Sequence, residues 1–141
     1  MREQHVINAA KILKDIHYLT VATVCEDGSP WNSPVSATFD ENLTFYWGSS
    51  PESIHSRNIR NSSEVFVVVY DSTAPEGTGE GVYMKGKAEE LDWEVEGALR
   101  KYSFTPTQVW INDEAKNEDG SYKYDIRAEL NLSELKQKLV N

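Results

Sequence analysis

The stretch FYWGSSPESIHSRNIRNSSEVFVVVY, residues 45–70, decides how the chain is read. Residues 43–47 (LTFYW) are aromatic and apolar, which predicts a strand. Ser49-Ser50-Pro51-Glu52-Ser53 follows, and a Ser directly before a Pro is the N-cap and N1 pattern of a helix start. A helix is therefore expected from Ser50 to about Arg60. Residues 65–70 (VFVVVY) are the most apolar run in the chain and predict a central strand.

Working outward, residues 4–16 place Val6, Ala10, Leu13 and Ile16 at helical spacing, which predicts a short amphipathic helix. Residues 17–25 turn β-rich, and Glu26-Asp27-Gly28-Ser29 is a turn signal. Residues 30–38 form a second extended stretch, and Asp40-Glu41-Asn42 makes another turn. Three strands joined by short turns predict an antiparallel meander. Beyond position 70, residues 71–81 predict a loop and 82–90 a strand that pairs back. Residues 93–102 carry Val95, Leu99 and Tyr102 on one helical face and predict a second substantial helix. Strands over 107–112 and 122–130 complete the set, with a short terminal helix behind them. A mainly β, six-stranded antiparallel barrel with flanking helices is the expected fold, because closure removes unprotected edges.

The sequence of 141 residues fits a single domain, 1–141, with one core; a chain of this length buries roughly 68% of its unfolded surface. Its net charge of −9 disfavours nucleic acid and anionic membrane surfaces as partners. One cysteine, Cys25, excludes an internal disulfide, and His5, His17 and His55 lie too far apart in sequence for an HxxxH pair, so no metal site is expected. No run approaches the ~20 apolar residues of a membrane span, and charges fill the first fifteen positions, which predicts a cytoplasmic protein.

An acidic chain that binds an anion needs a local device, and the 45–59 junction offers one. Ser49, Ser50 and Ser53 cluster with the unpaired amides of a helix N-terminus, which favours negative charge. His55 and Arg57 add a titratable and a permanent positive charge in the next turn. The same pattern also serves as an ordinary helix cap with solvated serines. Tyr46 and Trp47 precede the junction and could stack on a ligand ring. Strand alternation sends them to opposite faces, so only one can do so, and core packing is the competing use. Cys25 reads as a small buried group, Glu89, Glu90 and the acidic run at 113–119 as solvated surface, and the Gly-rich 77–81 segment as a hairpin or lid. Asp125, Trp110 and Arg127 carry no chemistry by pattern alone.

The order of segments over 17–91 resembles the FMN-binding split-barrel family related to pyridoxamine 5′-phosphate oxidase. It carries TVAT on a strand, a DG turn, a Pro-Val step and an FYW strand. A helix ending in Asn58-Ile59, a hydrophobic strand and GEGVYMKGKAEEL at 79–91 follow. VWIN and YDIRAEL, within 107–130, are similar to the family's late strands. The resemblance implies a six-stranded split barrel and a homodimer with FMN sites at the interface. It implies that Asn32, Ser33, Pro34, Val35 and Ser36 line the ring and ribityl side. Tyr46, Trp47, Ser49, Ser50, Ser53 and His55 would line the phosphate side, and Trp110 and Arg127 would reach the flavin from the partner subunit.

This chain has Asn32 where the oxidases place Arg, Ala37 where they place Lys, and Ile54-His55 where they place an Arg-Lys pair. Each lost charge-assisted hydrogen bond is worth ~1.5–3 kcal/mol, so FMN affinity is expected to be lower unless Arg57 and hydroxyls compensate. The resemblance thus implies an FMN-dependent oxidoreductase acting on a small molecule, with no acid or base identifiable. A flavin-sequestering protein without turnover, or a split barrel holding a deazaflavin or haem, are the alternatives.

Overall fold

A computed structural model describes residues 2–77, 79–95, 97–122 and 126–140, with the side chains of 93–95 left aside. The chain opens with α1 (Arg2–Asp15), which buries Val6, Ala9, Ala10 and Leu13 and carries Lys11 3.0 Å from Asp15 on its outer face. Strands β1 (Tyr18–Val24) and β2 (Pro30–Ser36) then form a hairpin, paired from Tyr18↔Ser36 to Val24↔Pro30. Its turn is closed by the Asp27 carboxylate, which accepts the Ser29 amide at 3.0 Å, and by Gly28 at φ +87°, where a side chain would be strained. A two-residue β3 (Thr38–Phe39) pairs with β4 (Phe45–Ser49). Between them Asp40 accepts the amides of Asn42 and Thr44 at 2.9 and 3.0 Å.

Helix α2 (Ile54–Asn61) leads into β5 (Glu64–Tyr70), whose alternating Val65, Val67 and Val69 are buried. Two long strands, β6 (Gly81–Val95) and β7 (Leu99–Asn112), pair with each other, and β8 (Arg127–Leu130) joins the end of β7. Helix α3 (Leu132–Val140), capped by the Asn131 side chain on the Glu134 amide, packs against α1, where Arg2 meets Glu134.

All ladders are antiparallel, in the order β2-β1-β5-β6-β7-β4-β3 with β8 on β7. The first and last strands of that order are separated in sequence by Ala37 alone. One bent segment, 30–39, therefore pairs with β1 through its first half and with β4 through its second, and the sheet curls into a split barrel. This raises the expected six strands to seven along the path, because the second strand divides. The core fills the curl with Val21, Phe45, Trp47, Val67, Met84, Tyr102, Phe104 and Ile111.

The expected antiparallel run of the first three strands is present, since 30–39 pairs with β1 and then with β4, and β4 pairs on its other edge with β7 from Phe45↔Phe104 to Ser49↔Arg100. Two expectations are corrected. The helix expected over 93–102 is a tight β6–β7 hairpin, with Glu94↔Arg100 and Val95↔Leu99 paired across Gly97 at φ +81° and Ala98 at φ +64°. Val95, Leu99 and Tyr102 fit a helical period, but a glycine in that turn lets the chain reverse and bury Tyr102 beside Trp47. The strand expected over 107–112 is the end of β7, and the part of 122–130 at 123–125, including Asp125, lies outside the described residues. Among the described residues no helix is long and apolar enough to cross a membrane, and no group of three or more His, Cys, Asp or Glu could hold a metal ion.

Candidate functional site

The α2 helix starts later than its sequence pattern suggests. Ser53, not Ser50, is the N-cap: its backbone is extended (φ −64°, ψ 153°) and its Oγ accepts the Ser56 amide at 3.4 Å. Ser50 and Pro51 instead form a preceding turn, in which the Ser50 carbonyl accepts the Ser53 amide at 3.2 Å and Ser50 Oγ accepts the Glu52 amide at 3.2 Å. Two serines three positions apart each suit a cap, and the turn fixes which one does it. Arg57 makes the first bond of the main helical ladder, to Ser53 O at 3.0 Å, so the Ile54 and His55 amides lie ahead of it in the first turn.

Ser49 ends β4, and its Oγ lies 3.0 Å from His55 Nε2, while Ser53 Oγ lies 3.4 Å from the same nitrogen. Ser53 Oγ also sits 2.7 Å from Ser56 Oγ, which is buried. The half-buried imidazole has its pKa lowered by burial, which favours the neutral ring. Beyond Ser56 the network continues: the Tyr102 hydroxyl, whose ionisation the neighbouring Ser56 favours, donates to Glu90 Oε2 at 2.7 Å, and Arg60 Nη1 donates to that same carboxylate at 2.6 Å. Glu90, expected as solvated surface, is thus the centre of a polar cluster. Its carboxyl is held below its ordinary value by the Tyr102 hydroxyl and then, against burial, by Arg60 and the charge of Arg100.

The expected site residues fall into two groups. Ser49, Ser50, Ser53 and His55 come together at the start of α2. Tyr46 faces away from the core, its hydroxyl donating to Asp40 at 3.1 Å and Lys101 lying 4.9 Å over its ring. Trp47 does not line this site. It is 3% exposed, stacked on Tyr102 at 6.1 Å, with its buried Nε1 meeting no acceptor among the described residues. Val35, also buried, likewise belongs to the core, whereas Asn32, Pro34 and Ser36 are exposed and Ser33 half-buried on β2.

The second group lies on the outer face of the sheet. Register places Pro34, Thr20, Val68, Tyr83 and Trp110 in one row across five strands, and opposed residues share a face. Trp110 stacks on Phe66 at 6.1 Å, and Arg127 lies 5.7 Å over Tyr83. Four ladder steps at ~4.8 Å put Pro34 and Trp110 about 19 Å apart along the sheet.

Arg57, the expected compensating cation, is exposed and lines a cavity of about 430 Å³ beside the β1–β2 turn with Cys25, Asp27 and Asn58. Asn58 is buried and donates to Thr23 Oγ1 at 3.0 Å and to Cys25 Sγ at 3.5 Å, so Cys25 is a half-buried partner of α2. The cation that register sets beside Ser49 is Arg100, which sequence reasoning missed because it assigned 93–102 to a helix. Ser56, Arg60, Glu90 and Tyr102 were missed too. The signal for the hairpin was Gly97, flanked by residues that alternate as well as they spiral.

A curled antiparallel sheet closed by one shared strand, with a helix start at the end of β4, defines a class of split-barrel proteins. Residues 7–123 match the family model described as pyridoxamine 5′-phosphate oxidase, and the chain belongs to that family. No curated relative matches the sequence. Among solved structures, the chain is similar to a protein of the pyridoxinephosphate oxidase family related to general stress protein 26, from Clostridium acetobutylicum. That pair is 13% identical, with 96% of this chain and 99% of that one covered at a TM-score of 0.69. A haem-binding protein from Mycobacterium smegmatis is 14% identical over 94% of this chain, with a TM-score of 0.72, and this chain spans 60% of its length. The haem storage protein HutZ from Vibrio cholerae is 13% identical, covering 70% of this chain and 87% of that one at a TM-score of 0.61. At these identities the likeness is one of fold.

Proposed function

We propose that this chain is a homodimeric, cytoplasmic, FMN-dependent oxidoreductase acting on a small molecule. The observation that carries it is the start of α2. First-turn amides at Ile54 and His55, hydroxyls at Ser49 and Ser50, the His55 ring and the register partner Arg100 converge where a phosphate monoester would sit. That donor set fits the group: neutral donors dominate, and the cations missing elsewhere are partly replaced by Arg100. Ser53 Oγ is already committed to the cap and would contribute mainly by ordering the turn. Bound flavin would supply the hydride and electron chemistry, and the protein would hold its phosphate and exclude water from the ring.

The homodimer is supported by the outer face. About 19 Å of curved sheet separates Pro34 from Trp110, too far for both to line one flavin ring from the same chain. Residues from β2 of one chain and Trp110 and Arg127 of another would meet if the outer faces pack together. The half-buried Phe66, Val68, Tyr83 and Trp110 supply apolar area for that contact.

Haem is the second reading. It is favoured by the burial that keeps His55 neutral, the form that ligates iron, and by the two haem proteins among the similar folds. The visible spectrum of the purified protein, with quenching of added FMN fluorescence, tests both. Flavin bands or quenching at micromolar FMN support the first reading, and a Soret band shifted and sharpened relative to free haem supports the second. A colourless protein that quenches nothing overturns the flavin reading. If FMN binds, reduction by NADH or NADPH and reoxidation in air separate an enzyme from a carrier.

A further inference from the structure

Arg60 sits in the last turn of α2 yet reaches back to the turn ahead of its first. Its Nη2 donates to the Pro51 carbonyl at 2.7 Å, and its Nη1 donates to Glu90 on β6 at 2.6 Å. Pro51 has no backbone N–H, so its carbonyl is the one backbone group there that can be tethered. The same Glu90 oxygen accepts the Tyr102 hydroxyl at 2.7 Å, and Ser56, in the first turn of the helix, neighbours that hydroxyl. Ser56 in turn contacts the N-cap Ser53, whose Oγ lies 2.9 Å from the Ser50 carbonyl. Bonds from Pro51 through Arg60 and Glu90 to Tyr102, and from Ser56 through Ser53 to Ser50, therefore brace the 50–53 turn from both sides by way of α2, β6 and β7. Without that bracing, the turn would rest on its own short hydrogen bonds to Ser50.

We propose that Arg60, Glu90 and Tyr102 are positioning residues that hold the 50–53 turn and the α2 first turn in register for the phosphate of the bound ligand. The inference rests on the FMN reading and goes beyond it, since none of the three residues belongs to the donor set assigned to the phosphate. Charge-assisted hydrogen bonds depend steeply on distance and angle, so a turn set loose by a fraction of an ångström loses phosphate affinity first. Glu90 suits the role because its partners keep it ionised, giving Arg60 a fixed anchor. Arg60 presents a planar fork whose two ends reach acceptors on different elements, a spread that the compact ammonium of a lysine does not reproduce.

Binding of FMN and of riboflavin, which lacks the phosphate, is measured by fluorescence quenching for the wild type, Arg60→Gln, Arg60→Lys and Tyr102→Phe. Arg60→Gln is expected to weaken FMN about tenfold while riboflavin changes little, with Arg60→Lys and Tyr102→Phe in between. A purely structural role would weaken both ligands in equal proportion, and that result, or unchanged FMN affinity in every variant, overturns the positioning role. A wild-type chain that binds neither flavin overturns the FMN reading itself and the positioning role with it. The two failures differ, because the first leaves wild-type binding intact.

Discussion

Ser49 on β4 and Arg100 on β7 oppose each other across an antiparallel ladder, on the sheet side that carries Trp47 and Tyr102. A cationic residue is thereby set opposite the one whose hydroxyl touches His55, in a chain whose net charge is −9. Arg100→Gln removes that charge while keeping a hydrogen-bonding side chain. The loss should be about 1.5–3 kcal/mol of FMN binding, with riboflavin binding unchanged. Parallel titrations of the two flavins check it.

His55 sets a pH dependence. Burial lowers its pKa below the ordinary 6.5, so the folded protein takes up a proton less readily than the unfolded chain. Its contribution to stability is therefore complete above 6.5 and is lost as pH falls through the folded value. A bound phosphate would reverse the bias by favouring the imidazolium, so FMN affinity should gain as the pH falls towards the lowered value of the free protein. The ligand's own second ionisation, near about 6, opposes this gain. Comparing wild type with His55→Asn over about pH 5–8 isolates the histidine, since the variant should keep only the ligand's slope.

Gly86 marks the bulge where β6 shifts register against β7. A Cβ there would lie 2.1 Å from the Thr105 carbonyl oxygen and 2.7 Å from Pro106 Cα, both main-chain atoms that cannot rotate aside. Gly86→Ala should cost at least about 1–3 kcal/mol, read as a lower midpoint in urea unfolding. Gly28→Ala, at a turn with nothing within 4 Å, should cost less, through backbone strain alone.

The outer face predicts the assembly. Phe66 and Trp110 stack on it at 6.1 Å, and a charge placed between them would be buried by a second copy. Phe66→Lys should yield a monomer in sedimentation velocity with an unchanged far-ultraviolet circular dichroism spectrum. A wild-type chain that sediments as a monomer would remove the basis for a shared site.

Much of the fold was legible wherever a local rule had no competitor. The α1 spacing, the Asp27-Gly28 turn and the VFVVVY strand each admit one reading, and the structure follows it. Between 93 and 102 two periods fit equally, and burial of Tyr102 against Trp47 chose the strand. The start of α2 failed for a related reason, because Ser50 and Ser53 both suit a cap and only the turn made by Ser50 separates them. Pairing of β4 with β7 had no sequence signal, as nothing near Phe45 announces Phe104. Arg100 and Tyr102 were hidden by the helix read over 93–102, and Glu90 by the β6–β7 ladder that replaces it, whereas the serines and His55 were legible as neighbours in sequence.

The split of one strand at Ala37 also governs when the molecule can become whole. Its second half leads into β4, whose own partner lies at positions 99–112, so closing the barrel joins Phe45 to Phe104 across more than a third of the chain. Pairings of such separation are slow to form, because loop closure must precede any gain from contact. During synthesis, the residues of α1, the first hairpin and α2 leave the ribosome while Ser49 still waits for Arg100. The hydroxyls and the helix start would thus exist before Arg100 joins them, and a ligand that needs both could be captured only at the last stage of the chain's making.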